Sequence, residues 1–146
     1  MSDRNKTSVK GINAAGAAVP VGAYPHARRS GNLLFLSGIG PRPADGSGIQ
    51  GVVLDAAGNV VSYDMESQCH AVFRNVVAIL GAVGADLGDL LDVTVYLTDI
   101  QRDFAVFNRI YAEYIGSDGP CRTTVEVNRL PTPIAIELKC IAECSE

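Results

Sequence analysis

Two residues in the last third of the chain have the chemistry of a hydrolytic site: Arg122 within CRTTVEV (121–127) and Glu137 within IAIELKC (134–140). Both stretches alternate as strands do when one face is buried, through Val125 and Val127 in the first and Ile134, Ile136 and Leu138 in the second. A period of two places Arg122, Thr124 and Glu126 on one face of their strand, and Ala135, Glu137 and Lys139 on one face of the next. An arginine and a glutamate in such positions are solvated, paired with each other, or reserved for a ligand. An exposed ion pair between them would be commonplace and weakly stabilising. The ligand reading rests on the planar guanidinium, whose five N–H donors can hold a carboxylate through two parallel bonds as lysine cannot. A carboxylate nearby could then orient and polarise a water molecule. The pattern alone leaves the choice open.

Other chemistries have less behind them. Cys69, Cys121, Cys140 and Cys144 form no CxxC pair, and His26 and His70 stand in unrelated contexts, so no zinc set is expected. Free thiols are the default reading. Cys121, beside Arg122, could be a thiolate nucleophile, but no base accompanies it in sequence. A net charge of −4 without a Lys/Arg stripe argues against nucleic acid. The opening MSDRNKTSVKGINAAG lacks an apolar core and does not read as a signal peptide. The longest apolar stretch, 72–83, is broken by Arg74 and Asn75 and too short to span a bilayer. A cytoplasmic protein with no membrane partner is expected.

The 146 residues suit one domain. Residues 1–13 read as a loose polar arm, and 17–27 with 32–40 as a hairpin turning at Ser30-Gly31-Asn32. LLFLS (33–37) is apolar enough for a strand covered on both faces. Residues 42–63 read as an insertion loop, with a short VVL strand, a turn at Ala57-Gly58-Asn59 and a return through Val60 and Val61. Cys69, Val72, Phe73, Val76, Leu80 and Val83 have helical spacing, with Ser62 or Asp64 to cap the start and Gly84 beyond the end. LLDVTVYLT (90–98) is a strand, and Asp99 caps a second helix buried through Phe104, Phe107, Tyr111 and Tyr114. The quoted strands follow as a hairpin around two prolines. The order β-β-(β)-α-β-α-β-β predicts a two-layer α+β sandwich with two helices on one sheet face. The other face then needs cover, so a closed homo-oligomer is expected.

The run Cys121-Arg122-Thr123-Thr124-Val125-Glu126-Val127, then Leu130-Pro131, Ile136-Glu137-Leu138 and a final IAE resembles the YjgF-type reactive-intermediate deaminase (Rid) family. Gly22-Ala23-Tyr24, Phe35-Leu36-Ser37-Gly38 and Asp103-Phe104-Ala105 with Asn108 and Tyr111 extend the resemblance over nearly the whole chain. Thr124 departs from it, standing where a cysteine is frequent. The resemblance implies a chorismate-mutase-like fold, a mixed sheet, and a barrel-like homotrimer, in some assemblies a dimer of trimers, with sites in the clefts between subunits. It also implies cofactor-free, metal-free hydrolysis of enamine or imine acids to 2-oxo acids and ammonia. Carried over by position, Arg122 would clamp the substrate carboxylate and Glu137 would hold the attacking water. Ser37, Gly38 and Thr124 would line the site, with Tyr24 and Asn108 supporting it.

The long 42–63 segment and LDAAGNV (54–60) look like the bacterial 2-aminomuconate deaminases. On that likeness, the expected substrate is 2-aminomuconate, converted to 4-oxalocrotonate (2-oxohex-3-enedioate) and ammonia in aromatic-compound catabolism. Its second carboxylate would need another cation, for which His26 is the first candidate, ahead of Arg28, Arg29 and Arg42. The alternatives are a broad-specificity deaminase of the 2-aminoacrylate type and a non-enzymatic ligand-sensing trimer.

Overall fold

The computed structural model describes residues 10–145. Seven strands and two helices follow the chain: β1 (Ala27–Ser30), β2 (Leu33–Leu36), β3 (Val53–Leu54), β4 (Val60–Ser62), α1 (Met65–Gly81), β5 (Leu90–Leu97), α2 (Ile100–Tyr114), β6 (Cys121–Glu126) and β7 (Ile136–Glu143). One five-stranded mixed sheet has the order β1-β2-β7-β5-β6, and α1 and α2 cover one of its faces. This is the expected two-layer α+β sandwich.

Local chemistry explains the element ends. Gly31 has φ +57° at the first central position of the two-residue turn joining Ser30 to Leu33, as a glycine-first hairpin requires. The Asp64 carboxylate accepts from the Ser67 N–H at the start of α1, and Asp99 from the Arg102 N–H at the start of α2. The stripe Cys69, Val72, Phe73, Val76 and Leu80 is wholly buried against the sheet, where it meets Val93, Val95 and Leu97 of β5 and Ile136, Leu138 and Cys140 of β7.

Three expectations need correction. β6 and β7 do not pair. β5 lies between them, parallel to β6 and antiparallel to β7. Adjacent parallel strands need a long crossover, and α2 supplies it between β5 and β6. The proline-containing link after β6 carries the chain past β5 rather than turning it back. Secondly, 17–26 is not a strand; β1 begins at Ala27. Residues 10–13 are not a wholly loose arm either, since Ile12 and Ala27 exchange backbone hydrogen bonds of 2.8 and 3.1 Å. Residues 1–9 of that arm lie outside the described residues.

His26 organises this irregular segment. Its Nδ1 accepts from the Ala14 N–H at 2.9 Å, so Nε2 carries the proton and donates to the Ala18 carbonyl at 2.7 Å. Buried, with both ring nitrogens spent, it has no polar atom left for a substrate. Its expected role at a distal carboxylate is withdrawn. Replacing it with Phe orphans two backbone groups. His26→Phe should therefore lose about 2–4 kcal/mol in urea unfolding while substrate affinity at low temperature stays near wild type. An affinity loss without a stability loss would reverse that assignment.

The 42–63 segment holds the expected small hairpin, β3 against β4, with Gly58 at φ +84° in its turn. Its root is tied to α1, where the Asn75 amide donates to the carbonyls of Gly40 and Arg42, both at 2.8 Å.

The second sheet face carries no helix. Glu137, Lys139 and Ile141 of β7, Thr94 and Tyr96 of β5, and Val125 of β6 point to it, by strand alternation and register. In β2, only Leu34 and Leu36 are covered, while Leu33 and Phe35 remain 38% and 37% exposed. The single chain therefore leaves uncovered an apolar surface that the LLFLS run would have buried on both sides.

Candidate active site

Arg122 is the second residue of edge strand β6, and its register partner is the buried Val93. That register points it to the helix side, where α2 crosses β6. One Nη2–H donates to the Asn108 side-chain oxygen at 2.7 Å. The guanidinium carbon lies 4.7 Å from the ring centre of Tyr111, 5.2 Å from Phe107 and 5.9 Å from Phe104. These are cation–π distances, and a planar fork stacked this way loses little freedom on binding. No carboxylate of the described residues lies within ion-pair distance of it. Four of its five donors have no partner among the described residues and can meet an anion.

Around it runs an open groove of about 530 Å³, lined by Ile100, Gln101, Phe104, Arg122 and Thr124. Phe104, expected in the core, is 38% exposed here because the core side of α2 is filled by Phe107 and Ile110. The Thr124 hydroxyl is buried without a hydrogen-bond partner among the described residues.

Glu137 belongs to a different cluster. It sits on β7, half-buried on the helix-free face, with no hydrogen-bond donor to its carboxylate among the described residues. Desolvation raises its pKa above the ordinary 4.5. It packs on Gly38: a methyl group there would lie 1.9 Å from Glu137 Oε1. The next residue back, Ser37, donates its hydroxyl to the Pro25 carbonyl at 2.7 Å and is spent on structure. Tyr24 is 43% exposed and shares a small recess with Ser37 and Gly38.

Seven of the eight candidate residues thus fall into two half-sites. Arg122, Asn108 and Thr124 face α2; Glu137, Gly38, Ser37 and Tyr24 gather at the ends of β2 and β7. His26 lines the same recess as Tyr24, Ser37 and Gly38, but both its nitrogens are spent on Ala14 and Ala18. Because β5 separates β6 from β7 and the two side chains point to opposite faces, the Arg122–Glu137 ion pair is ruled out. Cys121 is also removed from Arg122, since adjacent strand residues face opposite ways. It is exposed and, like the other three cysteines, free. His70 accepts or donates at the Tyr114 hydroxyl, 2.7 Å away, bridging α1 and α2.

Two features of this arrangement were missed in sequence. The spacing on α2 predicts Phe107 and Tyr111 as core and gives no sign that they also form a bed for a cation. Lys139, on the Glu137 face, donates to the Leu36 carbonyl; alternation placed it on that face without indicating a partner. Among the described residues, no cluster of three or more metal-ligating side chains occurs, and no helix is long and apolar enough to cross a membrane.

The family model for endoribonuclease L-PSP matches residues 15–144, with the strands and helices that carry both half-sites. The chain belongs to the Rid/YjgF (L-PSP) family. A RutC family protein of Pyrococcus horikoshii is 40% identical over 126 residues, covering 86% of this chain and 90% of that one. The chloroplastic Reactive Intermediate Deaminase A of Arabidopsis thaliana is 36% identical, over 86% of this chain and 61% of its own length. Among solved Rid structures, RidA from an Antarctic Psychrobacter superposes with a TM-score of 0.79 at 27% identity, covering 92% and 99% of the two chains. The E. coli TdcF with bound serine has a TM-score of 0.76 at 29% identity, covering 93% and 99%. The Rid fold expected from the sequence is the fold observed. None of these relatives is named for 2-aminomuconate.

Proposed function

We propose that this Rid protein is a cofactor-independent deaminase of 2-imino and 2-enamino acids, broad in specificity, whose site forms between two copies of the chain. The observation that carries the reading is the pair of complementary, unsatisfied half-sites. One is a guanidinium on an aromatic bed with free donors; the other is a carboxylate kept basic by desolvation, with no cationic partner among the described residues. The name of the Arabidopsis relative supports the same reaction class.

In this mechanism Arg122 holds the substrate carboxylate through its fork, with Asn108 fixing the guanidinium plane. The enamine tautomerises to the imine. A water molecule hydrogen-bonded to Glu137 attacks C2, forming a C–O bond while the C=N π pair moves to nitrogen. The proton removed from water by Glu137 is passed to that nitrogen. The carbinolamine then collapses: Glu137 takes its O–H proton and delivers it to the amino nitrogen, C=O forms, and the C–N bond breaks to release neutral ammonia. A positioned acid/base group contributes about 10²–10⁴-fold, enough for an electrophile this reactive.

One chain cannot present Arg122 and Glu137 to the same substrate, so a second copy completes the site. The apolar helix-free face is the surface we assign to that contact, in a homotrimer. A closed ring built from Arg122→Ala chains and Glu137→Gln chains would contain some sites with both natural side chains. Random mixing should restore about one quarter of wild-type activity, with neither parent active alone. Mixed assemblies no more active than the parents would place both residues in one protomer's site and overturn the shared-site reading.

The narrower substrate, 2-aminomuconate, requires a cation for its far carboxylate. His26 is spent, Arg42 donates to the Val19 carbonyl at 2.7 Å, and Arg29 points to the Cys144 sulfur at 3.2 Å. Each of these arginine bonds takes one donor of a guanidinium, and Arg28 makes none among the described residues, so the broad reading rests instead on the Arabidopsis relative, named for reactive intermediates at large. Ammonia release from monocarboxylate and dicarboxylate enamines, each generated in situ, compares the two directly.

A further inference from the structure

The substrate class can be narrowed, on the reading above that Arg122 receives a carboxylate. β6 turns three side chains toward α2: Arg122, Thr124 and Glu126. The two outer ones each engage the helix. Arg122 donates to Asn108 near the middle of α2, and Glu126 Oε1 accepts from the Ile100 N–H, the first residue of α2, at 3.0 Å. Thr124, between them, faces the groove wall formed by Gln101 and Phe104. Arg122 therefore lines the groove as its cation, and Glu126, about 13 Å further along the strand between Cα positions, sets a carboxylate beside the groove against its lining residue Ile100.

The Glu126 end is strongly anionic. Glu126 is exposed and has no cationic partner among the described residues. Asp99 caps the same helix end through the Arg102 N–H at 3.0 Å. Together the two carboxylates exceed the half-unit positive charge of a helix N-terminus. Between the poles the lining is neutral: Ile100, Gln101, Phe104 and Thr124.

We propose that Glu126 is a specificity-determining residue that makes the groove selective for monoanionic 2-imino acids with an apolar or neutral side chain. A ligand gripped by Arg122 and extended along the groove brings its far end toward Glu126. A second carboxylate there meets like charge and no donor pair, whereas an aliphatic tail packs on Ile100 and Phe104. Rejection by repulsion is a common source of selectivity where attractive contacts differ little.

The isosteric variant separates charge from structure. In Glu126→Gln the amide oxygen still accepts from the Ile100 N–H, so the α2 cap is kept while the charge is removed. Calorimetry with two unreactive 2-oxo acids gives the readout: 2-oxobutanoate as monoanion and 2-oxoglutarate as dianion. The wild-type protein should bind 2-oxobutanoate more tightly. Glu126→Gln should improve 2-oxoglutarate affinity about five-fold at low salt, with 2-oxobutanoate unchanged within about two-fold. The gain should shrink as salt is raised. Tighter dianion binding by wild type, an equal shift for both ligands, or no shift would each overturn the proposal. These titrations involve no turnover: selectivity without ammonia release would remove the deaminase reading and leave this one standing. Loss of all 2-oxo acid binding in Arg122→Ala is the control that the ligand occupies this groove; retained binding there would overturn the proposal as well.

Discussion

Arg122→Ala should reduce kcat/KM for a 2-imino acid by about 30- to 4,000-fold while the protein stays folded. The range follows from the loss of about 2–5 kcal/mol when one partner of a desolvated charge pair is truncated. The native fold has little at stake: Arg122 lies on an edge strand, half-exposed, and its side chain makes one hydrogen bond among the described residues, to Asn108. Thermal unfolding of the variant should stay close to wild type. Arg122→Lys should recover only part of the loss, because an ammonium keeps the charge but cannot reproduce the fork or its stacking on Tyr111 and Phe107. If the alanine variant turned over substrate at the wild-type rate, no carboxylate would be held at this position and the proposed mechanism would fail.

Glu137→Gln should lower kcat by about 10²–10⁴-fold with KM nearly unchanged, since the amide keeps the shape but cannot take a proton from water. Unaltered turnover would take Glu137 out of the reaction. The wild-type pH profile provides a second check. Desolvation raises the Glu137 pKa above 4.5, and only the ionised form is a base. Activity should therefore climb with pH through a midpoint above that of an ordinary glutamate, and the limb should vanish in the glutamine variant. Stability moves the opposite way. A carboxyl that holds its proton more tightly when folded stabilises the fold below its unfolded pKa, and that contribution disappears as pH rises through the folded value. At neutral pH the Gln variant should consequently be more stable than wild type, an exchange of activity for stability typical of sites that bury charge. Gly38→Ala tests the same carboxylate from outside: its added methyl cannot share space with Glu137 Oε1, so turnover should fall without any change to an ionisable residue.

Much of this was legible in the chain itself. The alternation of 121–127 and 134–140, the helical stripe from Cys69 to Leu80 and the aspartates before each helix depend on neighbours a few residues away. Such short-range patterns fixed the strands, the caps and the two-layer class. The ordered motifs around Arg122, Glu137, Ser37-Gly38 and Asn108 indicated the family, and the fold and family model agree. What the pattern could not reveal was who stands beside whom. The pairing of β6 with β5 rather than β7 is a contact made through α2, between residues 29 apart in sequence such as Val93 and Arg122, and it reverses the local expectation of a hairpin.

That single topological fact decided the site. It turned Arg122 toward the aromatic bed of α2, left Glu137 on the opposite face against Gly38, and excluded the ion pair that composition allowed. His26 shows the same limit on a smaller scale. Its residue type suits an anion, but both of its nitrogens are consumed by Ala14 and Ala18, which no spacing rule predicts. Sequence determined which side chains this protein has for chemistry and the local elements that bear them; tertiary structure alone determined their directions and partners, because a hydrogen bond or a shared face is set by distance in space and not by separation along the chain.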